Sequence, residues 1–203
     1  MNNEMNTVLT VGSKLPELSL AAYDPKSDKE IVIKTGDYEF KGKQWSIFFF
    51  YPADFTFVCP TELEEMAENY SAFKLEGAEV YSVSTDTIFA HKAWHDTSAA
   101  VKKVQFPMIA DPTGALSRLF GTYIATGPDA GLSLRGTFLV DPDGVIKTVE
   151  LHDNGIGRSA KELFRKFRAA KFIRDNDGVE VCPANWEPGE ATLRPGMDLV
   201  GKI

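Results

Sequence analysis

The sequence predicts an α/β protein, a central mixed β-sheet flanked by helices, with an irregular arm at the C-terminal end. Three observations carry this. Strand and helix patterns alternate along most of the 203 residues. The alternation closes in a hairpin signal, and beyond Asp175 the chain becomes polar and rich in proline and glycine.

Strand patterns occur at EIVIKT (30–35), WSIFFFY (45–51), AEVYSVS (78–84), FPMIA (106–110), GTFLVD (136–141) and VIKTVEL (145–151). Each has the β-branched and aromatic bias of a pleated, buried surface. The last two flank DPDG, residues 141 to 144, a turn signal that makes them a hairpin. DPDG also matches part of a calcium loop, but the other ligand positions are missing, so the turn is the expected role. Residues 61–76 place Leu63, Met66, Ala67, Tyr70 and Phe73 near one helical face, and Gly77 stops the run. Shorter helices are expected over 86–97 and 113–120. A longer one over 158–175 sets Leu163, Phe164, Phe167, Ala170 and Ile173 on one side. One domain is expected over residues 1–175, with an arm over 176–203 carrying the second cysteine.

A formal net charge of -7 argues against nucleic acid or an anionic membrane as the main partner. No apolar run approaches the length of a bilayer span. The N-terminal segment is too polar for a secretory signal, so a cytoplasmic location is expected. Two cysteines do not make a disulfide framework, and they stand too far apart in sequence for a CxxC motif. A thiol pair in a reducing compartment points to catalysis, redox sensing or metal binding. His91 and His95 have the i, i+4 spacing of a helical metal site, but no third ligand is near in sequence. Solvated helix positions are the expected reading.

Cys59 lies where a strand and loop feed a helix. Pro60 suits the first helical position, which makes Cys59 the N-cap. Thr61 and Glu64 also match a capping box, which moves the start two residues on. Either way the sulfur faces the positive end of a helix dipole, a setting that favours thiolate. An inert core thiol is the structural alternative. The helix-start position, the hydroxyl of Thr56 and the wall offered by Pro52 weigh against it. A cysteine phosphatase is excluded because the arginine of its phosphate loop falls at Glu65. A papain-like protease lacks a supported histidine.

YPADFTFVCPTE (51–62) contains P-x-x-x-T-x-x-C and resembles the active-site segment of typical two-cysteine peroxiredoxins. EVCPANW (180–186) resembles the segment that holds their second cysteine. SLRGTFLVDPDG and NGIGRSAKELFR resemble further family segments in the same order. The resemblance extends from VGSKLPELSL to the final GKI and is closest to bacterial members of the group. It implies a thioredoxin-like fold, and it assigns the roles that follow. Cys59 would attack the peroxide and become a sulfenic acid. Thr56 would hydrogen-bond the peroxide, Pro52 would shield the sulfur, and Arg135 would stabilise the thiolate and the leaving oxygen. Taken alone, Arg135 reads as a solvated surface charge. Glu62 and Arg158 would form a supporting ion pair, with helix-terminal surface charges as their plain alternative. Trp94 reads as a packing residue. Cys182 would resolve the sulfenic acid as a disulfide, which in the family joins two chains.

The resemblance implies no metal, haem or flavin in this chain. Its implied partners are hydroperoxides, a flavoprotein disulfide reductase or thioredoxin as electron donor, and further copies of the chain in a ring of dimers, usually five. A holdase chaperone and a thiol–disulfide oxidoreductase are the competing functions, and the lack of CxxC counts against the second. The segment after Trp94 has no G-G-L-G loop, and no Tyr-Phe follows Cys182. In the family those elements clamp the active-site turn, so their absence implies resistance to over-oxidation.

Overall fold

The computed structural model describes residues 8–35 and 44–202. The chain divides into two compact units, Met1–Arg158 and Ser159–Ile203. The first holds seven strands: β1 (Ser19–Asp24), β2 (Lys29–Lys34), β3 (Trp45–Phe50), β4 (Ala78–Ser84), β5 (Met108–Ala110), β6 (Arg135–Val140) and β7 (Ile146–His152). They form one sheet in the order β2-β1-β5-β4-β3-β6-β7. The central neighbours β5, β4 and β3 run parallel, and the outer pairings are antiparallel. This is the mixed sheet of a thioredoxin-like fold.

All six residues of β3 and all six of β6 are buried. A strand covered on both faces reads as a continuous apolar run, which is why WSIFFF shows no alternation. Phe48 and Phe50 pack with Phe120 and Phe138, with ring centroids 4.8 to 5.6 Å apart. Truncating such a ring to alanine costs about 3–5 kcal/mol.

Helix α1 (Cys59–Leu75) joins β3 to β4 and buries Leu63, Met66, Tyr70 and Phe73. It is followed by Gly77 at φ +89°, the left-handed position that ends a helix most cheaply with glycine. Helix α2 (Ile88–Thr97) starts at Thr87, whose hydroxyl accepts from the Ala90 amide. Helix α3 (Ala115–Leu119) is one short turn. The β6–β7 hairpin forms around DPDG, with Asp141 Oδ1 accepting from the amides of Asp143 and Val145, both at 2.9 Å. The described residues also include β1, which sequence patterning missed: of its six residues only Ala22 and Tyr23 are buried.

The second unit is built on α4 (Ala160–Asp175), capped by Ser159. Beyond it the chain is irregular, held by a bridge between Val181 and Leu193 and one short 3-10 turn, Met197–Leu199.

Candidate active site

The loop between β3 and α1 carries Pro52, Thr56 and Cys59. Pro52 is buried and Thr56 half-buried, its hydroxyl donating to the Ala53 carbonyl at 2.9 Å. Cys59 is fully buried, at 0% exposure. It is the first helical residue rather than the N-cap, which is Val58 and has helical dihedrals. The capping box does not form. Thr61 turns its hydroxyl back to the Val58 carbonyl at 2.7 Å, and Glu64 pairs with Lys103 at 2.6 Å.

Arg135 opens β6, and its side chain is only 3% exposed. Its Nη1 donates both to Cys59 Sγ at 3.3 Å and to Glu62 Oε2 at 2.7 Å, while Nε donates to the Asn154 carbonyl at 2.9 Å. Glu62 lies on the same turn of α1 as Cys59. Its Oε1 accepts from the Arg158 amide at 2.7 Å and from Nε at 2.9 Å, and its Oε2 accepts from Nη2 at 3.0 Å. Arg158 Nη1 reaches the Gly136 carbonyl and Thr137, and the guanidinium lies 3.4 Å over the Phe49 ring. The surface readings of Glu62, Arg135 and Arg158 are therefore corrected: all three are buried.

Burial opposes the charge on Glu62, but the bonds and charge of Arg158, with Arg135 adding to them, outweigh it and hold the carboxyl below its ordinary value of 4.5. Burial pulls Arg158 down from its ordinary value, with Glu62 opposing. Two guanidinium groups thus share one carboxylate, and that of Arg135 also faces the sulfur. The Arg135 guanidinium is a cationic donor held in place to meet negative charge on the sulfur or forming next to it.

Cys182 belongs to the second unit. It is half-buried, with Sγ 3.9 Å from the Ala169 carbonyl. Burial pushes its thiol above the ordinary value of 9.0, with Arg165 opposing. Nearby, Trp186 packs against Phe172 with the rings tilted by 44° and their centroids 4.9 Å apart, and it donates Nε1 to the Glu190 carbonyl.

The histidines are a second correction. His91 is 0% exposed and His95 is 8% exposed, not solvated. His91 Nδ1 meets Asp54 Oδ2 at 2.8 Å and Nε2 faces the Ile109 carbonyl at 3.2 Å; His95 Nε2 faces the Val104 carbonyl at 3.2 Å. These bonds compensate the burial of polar rings on a helix face that sequence spacing left outside. Tyr51 completes the group by donating to Asp54 Oδ1 at 2.7 Å. Burial, then the Asp54 carboxylate, hold its phenol far above the ordinary value. Among the described residues, no three His, Cys, Asp or Glu side chains group to hold a metal ion. Trp94 packs as expected, 3% exposed, with its ring 6.0 Å from those of Tyr51 and Phe55.

Comparison with known proteins gives the same reading. Residues 11–149 match the AhpC/TSA family, and residues 173–197 match the C-terminal domain of 1-Cys peroxiredoxin. Alkyl hydroperoxide reductase C of Bacillus subtilis is 57% identical over 79% of this chain and 83% of its own length. The protein of that name from Pseudomonas aeruginosa is 55% identical over 84% of this chain and 89% of its own. Among solved structures, Enterococcus faecalis AhpC superposes with a TM-score of 0.77 at 44% identity, covering 87% of this chain and 100% of that one. A reduced Plasmodium vivax 2-Cys peroxiredoxin gives 0.83 at 28% identity, over 93% and 94%. The chain belongs to the AhpC/TSA family and is a peroxiredoxin, an oxidoreductase that takes a peroxide as electron acceptor.

Proposed function

We propose that Cys59 is the attacking thiolate of this thiol-dependent peroxidase and that Cys182 resolves it. The observation that carries the reading is the single Arg135 Nη1 that donates both to Cys59 Sγ and to Glu62. The thiolate attacks one peroxide oxygen: an S–O bond forms, the O–O bond breaks, and sulfur loses two electrons. The leaving oxygen departs as hydroxide or alkoxide and takes a proton from solvent. Arg135 lies where that negative charge develops. Thr56 orients the peroxide and Pro52 keeps water from the sulfur. Glu62 and Arg158 hold Arg135 in place. Cys182 then attacks the sulfenic acid, an S–S bond forms, and water leaves. An external dithiol, from a flavoprotein disulfide reductase or a thioredoxin, returns both cysteines to thiols.

The substrates are hydrogen peroxide and organic hydroperoxides, in antioxidant defence in the cytoplasm. The disulfide joins two chains, and the dimers assemble into a ring, with five dimers as the preferred size. Self-association is supported by β7, which forms one edge of the sheet, and by Phe57 and Phe89, which are 91% and 78% exposed. With no G-G-L-G loop after Trp94, the turn bearing Cys59 opens readily and sulfinic acid forms slowly. The peroxidase domain spans residues 1–175 and the resolving arm 176–203.

Cys59→Ser tests the assignment. A hydroxyl nearly matches the thiol in size but is not ionised near neutral pH, so peroxide consumption falls to background while the fold and melting temperature hold. Substantial turnover in that variant overturns the assignment.

A further inference from the structure

The loop that carries Pro52 and Thr56 has an unusual backbone. Phe55 sits at φ +57°, a left-handed conformation uncommon for a bulky side chain, and its ring is 59% exposed. A loop bent this way needs fixing from outside itself. The fixing falls on its neighbour Asp54, whose side chain is 1% exposed.

Three elements hold Asp54. From the end of β3, Tyr51 donates to Oδ1 at 2.7 Å, and from α2, His91 Nδ1 meets Oδ2 at 2.8 Å. From the turn before α2, Asp86 Oδ2 accepts the Asp54 amide at 2.8 Å and is itself held by the Ser84 hydroxyl at 2.7 Å. Oδ1 accepts from Tyr51, and the His91 tautomer that bears its proton on Nδ1 donates to Oδ2. The fixed point then passes along the chain, because the neighbouring Ala53 carbonyl receives the Thr56 hydroxyl at 2.9 Å.

We propose that His91 and Asp54 are positioning residues for the peroxidase reaction, the Nδ1–carboxylate bond holding the loop that presents Pro52 and Thr56 to the peroxide. The proposal rests on the reading of Cys59 as the attacking thiolate. Neither residue touches the reacting atoms. Their contribution is geometric, and misplacement by about 1 Å in such a site slows a reaction by up to about a hundredfold.

The two ring nitrogens make separable bonds, which provides the test. The Asn amide nitrogen stands near the position of Nδ1, so His91→Asn keeps the donor to Asp54. The Gln amide nitrogen stands near Nε2, so His91→Gln keeps only the bond to the Ile109 carbonyl. Sulfenic acid formation on Cys59 is timed by rapid mixing with peroxide, trapping with a dimedone-type probe and mass spectrometry, with melting temperatures measured alongside. Expected is a rate in His91→Asn within about threefold of wild type, and a drop of about tenfold to a hundredfold in His91→Gln. A pure packing role gives the opposite order, because Asn removes more side-chain volume than Gln. The reverse order, or both rates unchanged, overturns the positioning role. If either histidine variant fails to fold, Tyr51→Phe deletes one donor to Asp54 with almost no loss of volume; an unchanged rate there overturns the proposal, and a several-fold drop supports it. Wild-type protein that forms no adduct at Cys59 overturns the underlying reading of the thiol. Wild-type oxidation with unaffected variants overturns the positioning role alone.

Discussion

The two cysteines occupy opposite kinds of surroundings. Cys59 sits at 0% exposure against a guanidinium that is itself tied to a buried carboxylate and a backbone carbonyl. Cys182 is half-buried in irregular chain, with a carbonyl 3.9 Å away as its sulfur's hydrogen-bond partner. Burying charge is costly unless every partner is supplied, and the first unit supplies them. The second supplies little, and burial pushes the thiol of Cys182 above its ordinary value. The contrast matches the demands of two successive attacks. The first meets a diffusing peroxide and needs a prepared anion. In the proposed mechanism the second meets a sulfenic acid held within the same dimer, so effective concentration stands in for preparation.

Removing the prepared cation strikes hardest at this comparison. Arg135→Leu is expected to slow sulfenic acid formation by about 10²–10³-fold, read from single-turnover oxidation. Arg135→Lys does not restore it, because one ammonium cannot reach the sulfur, Glu62 and the Asn154 carbonyl with a planar fork. A lysine variant with wild-type speed would show that charge alone suffices and that the fork geometry is incidental.

A second effect, on stability rather than on rate, comes from the carboxylate. The folded protein holds Glu62 below its ordinary 4.5, so its contribution to stability is complete above that value and is lost as pH falls through the lowered one. Glu62→Gln is expected to cost about 3–5 kcal/mol near neutrality, since it leaves two buried guanidinium groups short of a counter-charge. The gap in melting temperature between wild type and variant narrows below pH 4.5. A gap that stays constant down to the acid limit would mean that the carboxylate is not the source of the stabilisation.

The smallest effect is expected at the other cysteine. Arg165 is the charge that opposes the raised value of the Cys182 thiol. Arg165→Gln is expected to slow disulfide formation by about twofold at neutral pH and low salt, with less difference at high salt, where this half-buried charge is partly screened. A much larger loss would mean that Cys182 depends on a built site after all.

Much of this was legible in the sequence. The run IFFF, the helix stopped by Gly77 and the DPDG hairpin each follow a local rule of periodicity or turn chemistry, and each formed. Pro52, Thr56 and Cys59 were found because they lie on one short segment. Glu62 and Arg135 stand 73 positions apart, and nothing local marks either as buried. Only the family resemblance joined them. His91 was misjudged for a related reason. Its partners, Asp54 and the Ile109 carbonyl, lie 37 and 18 positions away, so spacing on α2 alone showed a polar residue and assigned it to water. Strand β1 was missed because its pairing with β2 and β5, rather than its own pattern, makes it a strand.

Glu62 also sets a limit on motion. The start of α1 is lightly held: Pro60 has no amide hydrogen, and Thr61 and Glu62 both lean on the Val58 carbonyl at 3.1 and 3.3 Å. Three residues further on, Glu62 receives four hydrogen bonds from two arginines. Unwinding that begins at Cys59 therefore meets a stop within a single turn, and the rest of the helix stays wound. Three residues of extended chain reach about 10 Å. Glu62 is thus the fixed end of a short tether, and it sets how far the sulfur can swing from its cage while the cage itself remains standing.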